Sequence, residues 1–317
     1  MYDQITIDNG LRLVLVPIPT VHSVSVGVFV GIGSRYEHRA EAGATHFIEH
    51  MLFKGTAHRP SAQLIAEAIE GIGGISNAFT GNETTTYWAK VAASHAETAV
   101  DVLLDILRNS LFQPEEIEKE RRVISEEISM YYDMPDEWAL VLLNQTMWPD
   151  HPLGQDIIGT QESVKRMTRR ALLDYFERGY HPANVVVAIA GNIDPAAMEG
   201  AVRARLADWE QQPLPTCAAA PQETPLQRWQ VENRSVEQGH LCLGVPALDH
   251  LHPDRFALSI LNTILGDGMS SRLFLEIREK RGLAYTVSSS LGLLRDTGSW
   301  LVYAGVEPLR AREALAA

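Results

Sequence analysis

A break two thirds of the way along the chain, and the pattern that restarts after it, constrain this sequence more than any other feature. Residues 210–226, EQQPLPTCAAAPQETPL, hold four prolines among alanines and polar residues, which is the composition of a linker. Ahead of the break, apolar and polar residues alternate over 5–17 and 23–30, with a turn at Asn9-Gly10, so both stretches predict strands. Helices follow at 43–54, stopped by Gly55, and at 61–71, capped by Ser61 and closed by Gly71. Residues 75–91, rich in Thr and aromatics, predict a pair of strands. Ser94 is expected to cap a helix ending near Asn109, and Pro114 to open another that ends near Tyr132. Further helices are expected at 137–147 and 168–178, a buried strand at 184–191, and a helix from Asp194.

After the break the order repeats: a strand at 239–245, helices at 252–265 and 270–281, and strands at 284–291 and 299–306. GGISNAF (73–79) falls where RGLAYTV (281–287) falls, which is the mark of an internal repeat. The expected division is a domain at 1–210, a linker at 211–226 and a homologous domain at 227–317. The second copy has about 90 residues against about 210 in the first, so it reads as incomplete. The fold class is α+β.

On the register of the repeat, His46 to His50 align with Leu261 to Leu265. The first copy therefore carries polar groups where the second is apolar. His46 and His50 stand four residues apart on an otherwise apolar helix, with Glu49 beside them. That spacing puts both imidazoles on one helix face, where they can share one Zn²⁺. A carboxylate among them is costly inside a protein unless a cation satisfies it. A catalytic zinc needs a third protein ligand and keeps a fourth position open.

The helix at 114–132 supplies candidates for the third ligand. Ile117, Ile124, Ile128 and Tyr131 define its buried stripe. At about 100° per residue, Glu120 and Glu127 lie within about 60° of the stripe's centre, while Glu126, Glu118 and Lys119 point away. Glu127 is the expected ligand, and Glu120 lies two turns earlier beside the site. An alternative for Glu120 is an ordinary ion pair with Arg121 or Arg122.

His46-Phe47-Ile48-Glu49-His50 is an H-x-x-E-H segment. Glu127 follows His50 by 77 positions, with the acidic Glu120 seven residues before it. Together with ISNAFT (75–80), HPLG (151–154) and SRLFLEIREKRGLAY (271–285), these features resemble the pitrilysin/insulinase family of zinc peptidases, in its processing-peptidase branch. The resemblance spans essentially the whole chain. It implies two α+β domains of one kind, each a mostly antiparallel sheet covered by helices, in agreement with the repeat. It implies a metalloendopeptidase with one Zn²⁺ per chain on His46, His50 and Glu127. Glu49 would act as general base, and Glu120 would assist as an orienting group or a support for the water.

The resemblance also makes Ser76-Asn77-Ala78-Phe79 an edge strand to which an extended peptide adds, with Asn77, Ala78 and Phe79 against the substrate. Arg278 and Tyr285 match a substrate-binding pair of the second domain. In family dimers that pair faces the zinc domain of the opposite half, so a homodimer or a homologous partner subunit is implied. Read without the resemblance, Arg278 could be a surface salt-bridge residue in a charge-rich segment, and Tyr285 a core residue.

Composition limits the other classes. The net charge of −13 argues against a nucleic-acid binder, because a phosphate backbone would be repelled. It suits neutral or basic partners such as cationic peptides, and equally plain solubility. The N-terminus lacks the basic and apolar regions of a signal peptide, and no run approaches the roughly 18 apolar residues of a membrane span. Cys217 and Cys242 have no metal-ligand spacing, so a reducing, cytoplasmic setting is expected. His151, His181 and His250 sit in turn-like segments and read as loop residues. GIGG at 71–74 lies between a helix and a strand, the reverse of a dinucleotide loop, and GDG at 266–268 reads as a turn. Two rival readings remain: a non-catalytic or partner-dependent subunit of a processing-peptidase-like complex, and a zinc hydrolase of non-peptide substrates.

Overall fold

The computed structural model describes residues 2–221 and 229–317. It divides into two compact units, Met1–Ile128 with Asp156–Cys217, and Ser129–Gln155 with Ala218–Ala317. This differs from the division at 210 read from the sequence: residues 129–155 pack with the second unit. The cause lies in helix 135–147, which packs onto strand 239–247 of that unit. Local periodicity shows such a helix but not the sheet it covers. Of the expected linker, 222–226 lies outside the described residues, and 211–221 form neither helix nor strand.

The first unit contains β1 (Asp3–Thr6), β2 (Arg12–Pro17), β3 (Ser23–Val30), α1 (Ala44–Leu52), α2 (Ala62–Glu70), β4 (Ile75–Thr80), β5 (Thr85–Ala92), α3 (Ala96–Asn109) and most of α4 (Pro114–Tyr132). The chain then forms α5 (Pro135–Met147) in the second unit before it returns to the first. There it adds α6 (Gln161–Arg166), α7 (Arg169–Gly179), β6 (Val185–Gly191) and α8 (Pro195–Leu206). The six strands lie in the order β1-β2-β6-β3-β5-β4. Only β2 and β6 pair in parallel; every other neighbour is antiparallel.

The centre of the sheet follows from alternation. Val24, Val26, Val28 and Val30 all point to one face of β3 and are fully buried. Each contributes about 1.5–3 kcal/mol relative to exposure. Helix α3 packs on β3 and β5, and α1 packs on β4 and α7. Because β4 pairs only with β5, it is a sheet edge. The expected Ser94 cap is corrected: a single 3-10 turn, Ala93–His95, precedes α3, and no side chain caps that helix.

The second unit adds β7 (Gly239–Ala247), α9 (Arg255–Gly266), a wide π-type turn over Phe274–Lys280, β8 (Ala284–Leu293), β9 (Gly298–Val306) and α10 (Ala311–Ala316). Its three strands lie in the order β7-β9-β8, all antiparallel. The first unit places β3-β5-β4 in the same order, with α1 and α2 between β3 and β4 where α9 and the π-type turn stand here. The repeat read from the sequence is therefore a repeat of topology. Among the described residues, no helix is long and apolar enough to cross a membrane.

Candidate metal centre

The site grows from the two faces of α1. Ala44, Phe47, Ile48, Met51 and Leu52 are buried in the core. At about 100° per residue, His46, Glu49 and His50 fall on the opposite arc. The two imidazole rings meet edge-on with centroids 4.6 Å apart. Burial, and then the neighbouring His50, push the His46 ring down to about 3. It is thus a neutral imidazole with a free lone pair at neutral pH.

Helix α4 brings the acids. Ile117 and Ile124 are buried as expected from phase, Glu120 is buried beside them, Glu127 is half-buried and Glu126 is exposed. Glu127 Oε2 lies 3.7 Å from His46 Nε2 and 3.7 Å from His50 Nε2. Neither distance is a hydrogen bond. One ligand atom from each residue lies within 4.8 Å of the others, the one such group among the described residues. Two nitrogens and one oxygen converging in this way fit a zinc site of three protein ligands and an open position.

Glu120 supports the group from behind. His50 Nδ1 lies 3.0 Å from Glu120 Oε2, which leaves Nε2 as the bare nitrogen turned towards Glu127. Lys54 Nζ is 2.7 Å from the other Glu120 oxygen. Burial alone would raise the Glu120 carboxyl, but His50 and Lys54 outweigh it and hold it below its usual range. The alternative partners are excluded for Arg121, which bonds Glu118 and the carbonyls of Val164 and Met167. His46 has no matching support: its Nδ1 finds no hydrogen-bond partner among the described residues.

Glu49 occupies a different place. Its carboxylate accepts a hydrogen bond from Thr80 Oγ1, at the end of β4. Burial raises its pKa; Thr80 and His50 pull it down, and Glu127 pushes it up. A half-buried carboxyl raised in this way, next to the metal ligands and outside their set, suits a proton acceptor. Thr80 was not singled out from the sequence. The only signal was alternation, which puts Ser76, Ala78 and Thr80 on the half-buried face of β4. Losing one hydrogen bond to a charged group costs about 1.5 kcal/mol, or roughly tenfold in rate. Thr80→Val is accordingly expected to lower kcat about tenfold with zinc content unchanged; wild-type turnover would remove Thr80 from the site.

The other candidates separate by unit. Asn77 and Phe79 are exposed on the edge strand, and Ala78 is half-buried between them. Asn77 Oδ1 accepts from the Ala78 backbone N–H at 2.8 Å. Arg278 and Tyr285 belong to the second unit and meet each other there. Arg278 Nη1 donates to the Tyr285 carbonyl at 2.9 Å, and its guanidinium lies 4.7 Å from the Tyr285 ring. The core alternative for Tyr285 is overturned, because its ring is 72% exposed. A bulge between Ala284 and Thr286 leaves Tyr285 without a partner on β9 and turns it outward. The surface-bridge alternative for Arg278 finds only a 3.8 Å contact to Glu279. His151 and His181 are buried in turns and His250 is exposed; none joins the metal group. Both cysteines are free.

Comparison with known proteins places two family models along the chain. Residues 12–161 match the family model for insulinase (peptidase family M16), and residues 166–317 match the model for the peptidase M16 inactive domain. An uncharacterized zinc protease of Streptomyces coelicolor is 41% identical over 316 residues, which is 98% of this chain and 69% of that protein. One from Bacillus subtilis is 41% identical over 307 residues, covering 96% of this chain and 74% of its own length. Among solved structures, a protease from Helicobacter pylori matches all of this chain and 78% of its own, with a TM-score of 0.91 at 24% identity. A peptidase M16 inactive domain from Pseudomonas fluorescens covers 99% of this chain and 76% of its own, with a TM-score of 0.89 at 21% identity. At those identities the structural likeness speaks to the fold.

Proposed function

The chain belongs to the insulinase family, peptidase family M16, and from that premise we propose that it is a zinc-dependent metalloendopeptidase acting on peptides or unfolded precursor segments. One observation carries the reading: His46, His50 and Glu127 converge as a three-ligand group while Glu49 stands beside them in the hold of Thr80. The relatives named as zinc proteases support the choice of metal, at one ion per chain.

When bound, zinc supplies Lewis acidity, which makes water more acidic and polarises a peptide carbonyl. The protein supplies the rest. Glu120 fixes the His50 ring so that Nε2 faces the ligand group. Glu49 takes the proton of the attacking water and returns it to the leaving amine. The β4 edge offers its main chain to an extended peptide, with Asn77, Ala78 and Phe79 lining that edge. Selectivity then comes from side-chain pockets, and the acidic surface favours basic peptides.

Arg278 and Tyr285 serve in this proposal as substrate-backbone contacts, in a homodimer or a pairing with a homologous subunit. Arg278→Ala is expected to reduce cleavage about tenfold, the loss of one charge-assisted hydrogen bond, with zinc unchanged. Mixing this variant with Glu49→Gln would restore part of the activity if sites are shared between protomers. No recovery after verified subunit exchange would count against sharing.

The reading as a whole is tested by incubating zinc-loaded protein, with the Glu49→Gln variant as control, with a diverse peptide mixture and reading fragments by mass spectrometry. Cleavage by the wild type alone supports a metallopeptidase. Zinc binding without any cleavage would favour the second reading, a subunit that is non-catalytic or depends on a partner, which the match of residues 166–317 to an inactive domain leaves open.

A further inference from the structure

The segment 33–37, ahead of α1, holds both halves of the candidate site. On one side it grips the turn between β4 and β5. Ser34 N–H donates to Gly81 O at 3.1 Å, and Arg35 N–H to Asn82 O at 2.8 Å. The Arg35 guanidinium, 1% exposed, bonds Glu83 at 2.6 Å. On the other side Glu37, also 1% exposed, reaches the start of α1. Its Oε2 accepts from Gly43 N–H at 2.8 Å and its Oε1 from Thr45 N–H at 2.7 Å. Tyr175 closes the loop, with its hydroxyl 2.8 Å from Thr45 Oγ1 and 3.2 Å from Gly33 O.

Helix α1 has no cap of its own. Its N-cap is Gly43 at φ +89°, with no side-chain hydrogen bond and no acid in the first turn. A side chain there is barred, since a Cβ on Gly43 would lie 2.6 Å from Ile158 O. Glu37 therefore caps the helix from outside, from six and eight residues upstream. Burial pushes its carboxyl up to about 8, against the pull of the Thr45 and Gly43 hydrogen bonds. Such a costly group persists in a core only where its bonds matter.

We propose that Glu37 is a positioning residue of the metal centre: it sets α1, with His46, Glu49 and His50, at a fixed offset from the β4–β5 hairpin. The inference rests on the reading of the site as a zinc centre. A nine-residue helix anchored in this way cannot slide or turn relative to the edge strand that receives the peptide.

The test is Glu37→Gln, which places an amide NH₂ against one of the two N–H groups. Zinc affinity, measured by competition with a chromophoric chelator on folded protein, decides. It is expected to fall about 10–100-fold, the range for losing a group that orients metal ligands. In zinc-saturated protein kcat should fall with KM within about twofold. A merely structural residue would lower the melting temperature alone, and wild-type zinc affinity in the folded variant overturns the proposal. If Glu37→Gln does not fold, Tyr175→Phe takes its place. It releases Thr45 and Gly33 and should weaken zinc by a few-fold; unchanged affinity overturns the proposal equally. Zinc binding needs no substrate, so a wild type that cuts nothing sinks the peptidase reading and leaves this test intact.

Discussion

Glu49→Gln is expected to retain zinc and to lose about a thousandfold in turnover, within the 10²–10⁴ range of general acid–base catalysis. The argument is geometric. The side chain is isosteric, and its amide carbonyl can still accept the Thr80 hydroxyl, so α1 and its two histidines keep their places. Only the capacity to take a proton disappears. Burial, which raises the pKa of this carboxyl, makes it a better base than an exposed glutamate. Zinc content by elemental analysis, paired with peptide cleavage, checks both halves. Full activity in the variant would remove Glu49 as the base.

Glu127→Gln has the largest expected effect on the metal itself. Two imidazoles on one helix preorganise half of the site, but an imidazole ligand brings no negative charge to a metal. Glu127 is the group that brings negative charge to within 3.7 Å of both Nε2 atoms. An amide oxygen keeps the shape and loses the charge. Altering a group behind a ligand costs 10–100-fold in affinity, so altering a ligand should cost more than about 100-fold. Glu126→Gln is the control, since Glu126 is adjacent and exposed. Equal zinc affinity in Glu127→Gln and wild type would move the third ligand elsewhere, with Glu120 the nearest carboxylate to His50.

Much of this site is legible in the sequence. The spacing of His46 and His50 fixes a shared face, because a helix turns by a constant angle. The same constant sorted Glu120 and Glu127 from Glu126 and Glu118 on α4. The repeat was legible too, as an order of elements that returns in the sheets β3-β5-β4 and β7-β9-β8. Each of these is a property of short-range periodicity, which a sequence carries openly.

What the tertiary structure alone decided is which distant groups meet. Lys54 on Glu120, Thr80 on Glu49 and Glu37 on the start of α1 are separated from their partners by turns and strands of no informative period. The helix at 137–147 shows in the sequence, but only packing assigns residues 129–155 to the second unit. One extra residue at Tyr285 turns an apparent core aromatic into an exposed one. Local rules state which face a residue takes. The partner on that face is set by long-range contacts, which depend on how the whole chain closes around its core.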